Sequence, residues 1–567
     1  MMISTKISRT GAAAALCALS LCVTVSGHAL PEQKTPPAVT IPTPPAAPRG
    51  VAFADEVTGR HLVYDTRMTY RTAVNLAFTV RYVGVTGGAG ESVVLGRYGS
   101  EAFRGEVAAR KLSLTTDRTA GDDNGIRHTI SDGATMTTTH YVEQGTAKPV
   151  RTFTRLPLDD GADLRRALEQ VQVAPESRAA EWAIDPEATA VDANAIVWRS
   201  GGETEPDGTR AEIVDQYETP NRNQANRIRE HRYCIDGATH RLLRYEEWDI
   251  DTDRARAPRR IRKRAIGNKP ATVTESPGYP STINYRREDY AAVRLSKTAA
   301  PASQWAASVP TAYVEQALPS VNLPPLTAPL PPDAFAPQAL ALIERWNYAR
   351  ERFVSLSTDI EVSEHGEVRT EESRPLNARL QQTTVLYSVV RRRPGKTRVL
   401  VETRAGGGGR VPKKGIAVSD GQRVTAIIDG DRRQTDLRDA AALFGALNNV
   451  GMRDPFNALA LLFSQTPNLE RYDKVTYDGV VALDNGESAE AITLHRDANG
   501  RNGQTESDAT LRLFFGRDGF PHMAQSQFRV TLNGRLERDQ PPVVDIDTRF
   551  RNLTTDHEPS ANAFARP

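Results

Sequence analysis

Cysteine is scarce, with three in 567 residues. Two of them, Cys17 and Cys22, fall within the first 29 residues. A disulfide framework is therefore excluded, and any folded core has to hold itself together by packing. Cys234 stands between Tyr233 and Ile235 in an apolar strand pattern, with no CxxC or papain-like context. It is expected to be a buried, unreactive thiol. An excess of one charge is also missing: 72 Lys and Arg face 70 Asp and Glu. That balance excludes a general nucleic-acid binder, which carries a large basic surplus. No apolar run reaches the roughly 20 residues that a membrane-crossing helix needs. GxSxG, HExxH, Walker A and CxxC motifs are all missing, so no reaction and no cofactor is announced. With 39% apolar and 25% charged residues, what remains is an ordinary globular composition of two or three domains.

The first 29 residues have the pattern of a secretory signal peptide. Lys6 and Arg9 precede a short apolar run, Gly11 to Val25, and Gly27-His28-Ala29 supplies small residues for cleavage after Ala29. An exported protein, periplasmic or extracellular, is expected. Two segments are built largely of proline and small residues. Residues 30–50 are expected to tether the signal peptide to the first fold, and residues 308–337 to link two domains. The domains are then 51–307, with an insertion near 251–280, and 338–567.

The two halves answer each other in order. Ser131-Asp132-Gly133 matches Ser419-Asp420-Gly421, and Asp236-Gly237 with His240 matches Asp518-Gly519 with His522. Ala302 to Ala306 matches Ser560 to Ala565 near the two ends. Duplication follows from three pairs in one order. Within each half the dominant period is two. Leu76, Phe78, Val80 and Tyr82 alternate with polar or small residues, as do Leu356, Thr358, Ile360 and Val362, and Val544, Ile546, Thr548 and Phe550. Such strands have one dry and one wet face, as in antiparallel sheet. Helices are expected over Asp163–Val173, Pro337–Phe353, Leu437–Asn448 and Asp454–Ser464, the last with Asp454 as N-cap and Pro455 at its first position.

A leading amphipathic helix, antiparallel strands with an Asp-Gly hairpin, a mid-domain helical insertion and a strand run with Asp-Gly-x-x-His resemble the LolA-like half-barrel. That superfamily includes LolA, LolB and RseB and many uncharacterised secreted proteins. The passages AVSDGQRVTAIIDGDRRQTDL, DPFNALALLF and LRLFFGRDGFPHMAQSQFRV carry the likeness in the second half. The resemblance implies an α+β fold of two tandem antiparallel half-barrel sheets, each with a few helices closing its concave face. It is a likeness of fold and transfers no site residue.

Chemistry-bearing candidates are few. Gly406 to Gly409 followed by Lys413 and Lys414 resembles a phosphate loop but lacks Gly-Lys-Ser/Thr, and is expected to be a hairpin tip. His231 and His240 lack a third metal ligand. Glu246 and Glu247 are adjacent on a strand and so point to opposite faces, one expected to be solvated and the other structural. Arg259, Arg260, Arg262, Lys263 and Arg264 form the densest basic run, suited to anionic headgroups and to peripheral membrane contact if it is more than a solvated loop. Leu443, Phe444, Leu447, Phe456, Leu459 and Phe463 are candidates to line an apolar cleft under a helical lid, with the filling of an ordinary core as the alternative. The expected function is that of an exported non-enzymatic protein whose partner is a lipid, a lipidated protein or another apolar ligand. An envelope sensor or protein-interaction module is the alternative, with an enzyme of unrecognised site behind it.

Overall fold

The computed structural model describes residues 38–567 apart from short stretches. Those of seven residues or more are 219–226, 264–271, 319–334, 367–382, 406–412, 497–508 and 530–542. The signal-like leader, Phe456, Arg264 and the Gly406–Gly409 stretch lie outside the described residues.

The first half contains β1 (Ala38–Thr40), α1 (Phe53–Thr72), β2 (Asn75–Gly87), β3 (Ser92–Val94), β4 (Arg97–Glu106), β5 (Lys111–Arg118), β6 (Gly125–Asp132), β7 (Thr135–Val142) and β8 (Val150–Pro157). It continues through α2 (Leu164–Gln170), α3 (Arg178–Ile184), β9 (Ala195–Thr204), β10 (Arg210–Glu218), β11 (Arg227–Asp236), β12 (Arg241–Asp251), β13 (Arg259–Lys263), β14 (Thr272–Ser276), β15 (Thr282–Ser296) and β16 (Val314–Glu315). The second half begins with α4 (Pro337–Arg352), then β17 (Ser355–Gly366), β18 (Thr383–Arg392), β19 (Lys396–Ala405), β20 (Lys414–Asp420), β21 (Arg423–Ile428) and β22 (Asp431–Asp436). After α5 (Leu443–Asn449) and α6 (Ala460–Phe463) come β23 (Lys474–Ala482), β24 (Ser488–Arg496), β25 (Ala509–Phe515), β26 (Pro521–Arg529) and β27 (Val543–Thr555).

Two large antiparallel sheets result. The first runs β16-β8-β7-β6-β5-β4-β2-β15-β12-β11-β10-β9, the second β22-β21-β20-β19-β18-β17-β27-β26-β25-β24-β23. Apart from the extra β16, which joins β8 in parallel, the two orders are the same permutation. In each sheet the first long strand pairs with the last one (β2 with β15, β17 with β27) and the helical segment falls between the two wings. Neither sheet closes on itself among the described strands. This is a tandem α+β half-barrel architecture, in agreement with the resemblance read from the sequence.

The hairpin equivalence extends to single hydrogen bonds. Asp132 Oδ1 accepts the N–H of Ala134 and of Thr135, each at 2.8 Å. Asp420 Oδ1 accepts those of Gln422 at 2.9 Å and Arg423 at 2.8 Å. Gly133 and Gly421 both sit at φ +97°, where a side chain is strained.

Each concave face carries its own apolar core. In the first half Val63, Tyr64 and Tyr70 of α1 and Trp182 of α3 pack on Leu76, Phe78, Phe103 and Tyr233. In the second, Leu342 and Trp346 of α4 pack with α5 and α6 on Ile360, Tyr387, Val399 and Phe515. Within the expected Asp454–Ser464 helix, the described helical residues are Ala460–Phe463. Asp454 lies six residues ahead of Ala460, and its carboxylate accepts the N–H groups of Ala458, Leu459 and Ala460, the last being the first residue of α6. Part of the expected tether is also packed down. Ala38–Thr40 pairs with Ser92–Val94, Ile41 is fully buried against Val85, Trp248, Ile283 and Tyr285, and Pro42 O accepts the indole N–H of Trp248 at 3.1 Å. These side chains stand on the face of the first sheet turned away from its core.

Candidate functional site

Leu443, Leu447 and Leu459 are at most 1% exposed and belong to the core of the second half, while Phe444 and Phe463 are half-buried at its margin. The concavity of this sheet is thus occupied by the chain's own side chains. The basic run Arg259, Arg260, Arg262 and Lys263 lies on β13, which forms a separate two-stranded ribbon with β14. Glu246 and Glu247 do point to opposite faces, but neither is a freely solvated glutamate. Glu246 is buried and accepts the hydroxyl of Tyr285 at 2.6 Å. The other belongs to a chain of contacts in which Glu218 meets His231 Nε2 at 2.9 Å, His231 Nδ1 meets the Tyr245 hydroxyl at 2.8 Å, and Tyr245 donates to Glu247 at 3.2 Å. Burial disfavours a charge on Glu247, yet the positive charges of His231, Arg178 and Arg286 outweigh it and hold its carboxyl below the usual range. With His231 buried, this network ties β10, β11 and β12 together from inside.

Cys234 is fully buried, and burial pushes its thiol up to about 12, so at neutral pH it carries no thiolate. Among the described residues no group of three His, Cys, Asp or Glu side chains is placed to hold a metal ion. Ser113 Oγ lies 3.4 Å from His128 Nε2, and burial lowers the pKa of that histidine.

Open apolar surface is found on the outer face of the second sheet. Leu400 stands opposite Ile416, Ile416 opposite Ile427, and Leu400 opposite Ser388, so these side chains form a row across β18 to β21. Leu386 adds to the row from β18. They floor a groove of about 840 Å³ whose rim includes Asp359, Glu361, Glu402, Arg404, Lys414 and Arg551. The backbone beneath is paired on both sides within the sheet, so a ligand there gains from apolar burial and from rim charges, with no strand edge to join. Sequence alternation missed this groove because it assigns one face of every strand to water. The signal was present as unbroken apolar runs, Val385-Leu386-Tyr387 and Val399-Leu400-Val401, which mark strands dry on both faces.

The two halves meet along α1 and α4. Asp65 is gripped by Arg352 through two contacts of 3.0 and 3.1 Å and also accepts the Tyr348 hydroxyl. His61 contacts Asp556 at 2.8 Å, Arg392 contacts Glu56 at 2.9 Å, and Arg60 Nε donates to Glu351 O at 2.8 Å. These contacts pair groups of the first half with groups of the second.

The fold and these features define a tandem half-barrel protein with a paired-domain seam and an apolar outer groove. No family model matches the chain, and no curated protein matches it. Among solved structures it is similar to a DUF1329 family protein from Desulfovibrio piger, at 10% identity and a TM-score of 0.18, over 43% of this chain and 95% of that one. An uncharacterized conserved protein from Thermus thermophilus is similar at 14% identity and a TM-score of 0.18, over 41% and 99%. The complex of Pseudomonas aeruginosa MucA/MucB is similar at 7% identity and a TM-score of 0.21, over 89% and 100%. Likenesses of this strength carry no argument about the site, and the functional reading rests on the chain's own residues.

Proposed function

We propose that this chain is an exported, non-enzymatic binding protein that holds an acyl chain, of a lipid or a lipidated protein, in the outer groove of its second half-barrel. The observation that carries the reading is the groove floor. Leu386, Leu400, Ile416 and Ile427 are presented together on a face whose neighbours are polar. An acyl chain gains about 0.8 kcal/mol for each CH₂ it buries, and Lys414 and Arg404 at the rim suit an anionic head. The signal-like leader supports export, and among the described residues no helix is long and apolar enough to cross a membrane.

The test compares two substitutions. Leu400→Asp puts a charge into the half-buried groove floor, where it keeps much of its water. We expect at least tenfold weaker binding of a fluorescent fatty-acid probe, with stability changed by less than about 1 kcal/mol. Leu459→Asp puts the same charge into the core and should destabilise the second half by several kcal/mol. Unaltered probe binding in the Leu400 variant overturns the reading.

A protein-interaction module is the second reading, and the packed segment Ala38–Ile41 favours it. The outer face of the first sheet is covered there by an extended piece of chain with apolar side chains. A partner's apolar segment on the groove of the second sheet would repeat that arrangement.

A further inference from the structure

Buried arginines concentrate at the seam. Arg60 of α1, Arg350 of α4 and Arg391 of β18 are 3%, 6% and 6% exposed. Arg393 follows β18 directly. Among the described residues the hydrogen bonds of Arg60, Arg391 and Arg393 go to neutral oxygens. Arg60 donates to Glu351 O and the Tyr64 hydroxyl, Arg391 to Leu462 O at 3.4 Å, and Arg393 to Arg350 O at 2.7 Å. Arg391 and Arg393 lie over the ring of Phe353, at 5.8 and 4.8 Å from its centroid. An aromatic face softens a buried cation without cancelling its charge. The Nε–H groups of Arg391 and Arg393 are closed to solvent and have no acceptor among the described residues. Glu351 is the carboxylate that bears on Arg393, and it also faces Arg67 at 3.5 Å. Burial, with the positive charges of Arg350 and Arg60, brings Arg391 down to about 9. Burial and the charges of Arg60 and Arg391 hold Arg393 far below its ordinary value.

Buried cations at this density are costly unless an anion joins them. Guanidinium groups present planar forks of donors that suit tetrahedral oxyanions. Arg393 is only half-buried, so the cluster reaches solvent at that residue. We propose that the seam is a binding site for a small oxyanion of the phosphate class, held by Arg60 of the first half and by Arg391 and Arg393 of the second. Because its ligands come from both halves, the anion acts as a cross-link between them. This site is separate from the apolar groove and does not depend on what the groove binds.

Calorimetric titration of the purified chain with inorganic phosphate, at ionic strength held constant with chloride, tests the proposal. Saturable binding and a saturable rise in melting temperature are expected, since a ligand that binds only the folded state stabilises it by mass action. Arg393→Gln should weaken that binding at least tenfold. Arg60→Gln, a change in the other half, should do the same and serves if the first variant does not fold. A second arm uses vesicles of phosphatidylglycerol in phosphatidylcholine, to separate the free anion from a lipid headgroup. Free phosphate should bind in an Arg60-dependent way, and vesicle binding should not respond to Arg60. No saturable phosphate binding, binding that survives both substitutions, or Arg60-dependent binding to vesicles alone overturns the proposal.

Discussion

Glu101 shows how much one buried side chain determines. It stands 1% exposed on β4 and accepts the N–H of Glu176 at 2.6 Å as well as the hydroxyl of Ser177. Burial raises its pKa to about 7, helped by the charges of Glu288 and Glu176 and opposed by those two hydrogen bonds. In the unfolded chain the same carboxyl releases its proton near 4.3. Between these values the folded state binds more protons, so stability falls as pH rises from about 4.3 to 7 and levels off above. Each tenfold change in proton affinity is worth about 1.4 kcal/mol. Glu288, raised chiefly by its burial, acts in the same direction. Glu101→Gln should therefore flatten the decline and melt higher than the parent at about pH 8. Thermal unfolding of both proteins at about pH 5 and 8 checks this; equal slopes would remove Glu101 from the account. Nothing in the residues around Glu101 announces the effect, because the groups that bury it come from β15 and from the loop before α3. Cys234, by contrast, was readable as inert: its apolar neighbours and missing partner motif already described a buried thiol.

At the scale of elements, the strands were the most legible part of the sequence. Period-two alternation needs only a dry face and a wet one, and each strand records that in its own residues. Leu356, Ile360 and Val362 are all at most 1% exposed, as the pattern requires. Helix boundaries were less legible. Asp454 caps three N–H groups, and the described helical residues begin only at Ala460, while Leu459 and Leu462 pack into the core. The approach of α1 to its sheet is set by Gly59. A Cβ built there would lie 2.4 Å from the carbonyl carbon of Trp198 on β9, a backbone atom that cannot give way cheaply. Alanine is the better helix former by about 1 kcal/mol, so on propensity alone Gly59→Ala should stabilise. We expect the reverse, a loss of about 1–3 kcal/mol as α1 is forced off the sheet. Urea unfolding decides between the two signs.

At the scale of the whole molecule, several charged pairs cross the seam, which makes the docking of the halves responsive to solution conditions. Asp556 shows the sign. Burial opposes its ionisation, but hydrogen bonds from His61 and from the N–H of Val354 prevail and hold its carboxyl below the usual range. Its contribution is therefore complete above about pH 3.9 and is lost as pH falls through the depressed value. Asp556→Asn should cost about 1–3 kcal/mol near neutral pH. It should also remove part of the acid sensitivity below about pH 4. Calorimetric unfolding of the two proteins in that range measures both, and an unchanged acid limb would mean that Asp556 does not couple the halves.

By itself the sequence determined the antiparallel sheets, their duplication and the helix that opens the second half. Each of these is written in the spacing of residues near one another in the chain or in a repeated order along it. Tertiary structure alone decided which apolar residues became core and which floor of a groove, because alternation cannot say what lies across from a face. It alone brought Arg60 to Glu351, 291 residues away, and His61 to Asp556, 495 residues away. The arginines of the seam are separate, unremarkable positions in the sequence. They become a concentrated buried charge only when α1 of one half is laid against α4 and the end of β18 of the other, since Coulomb interaction depends on distance in space and local pattern has no record of it.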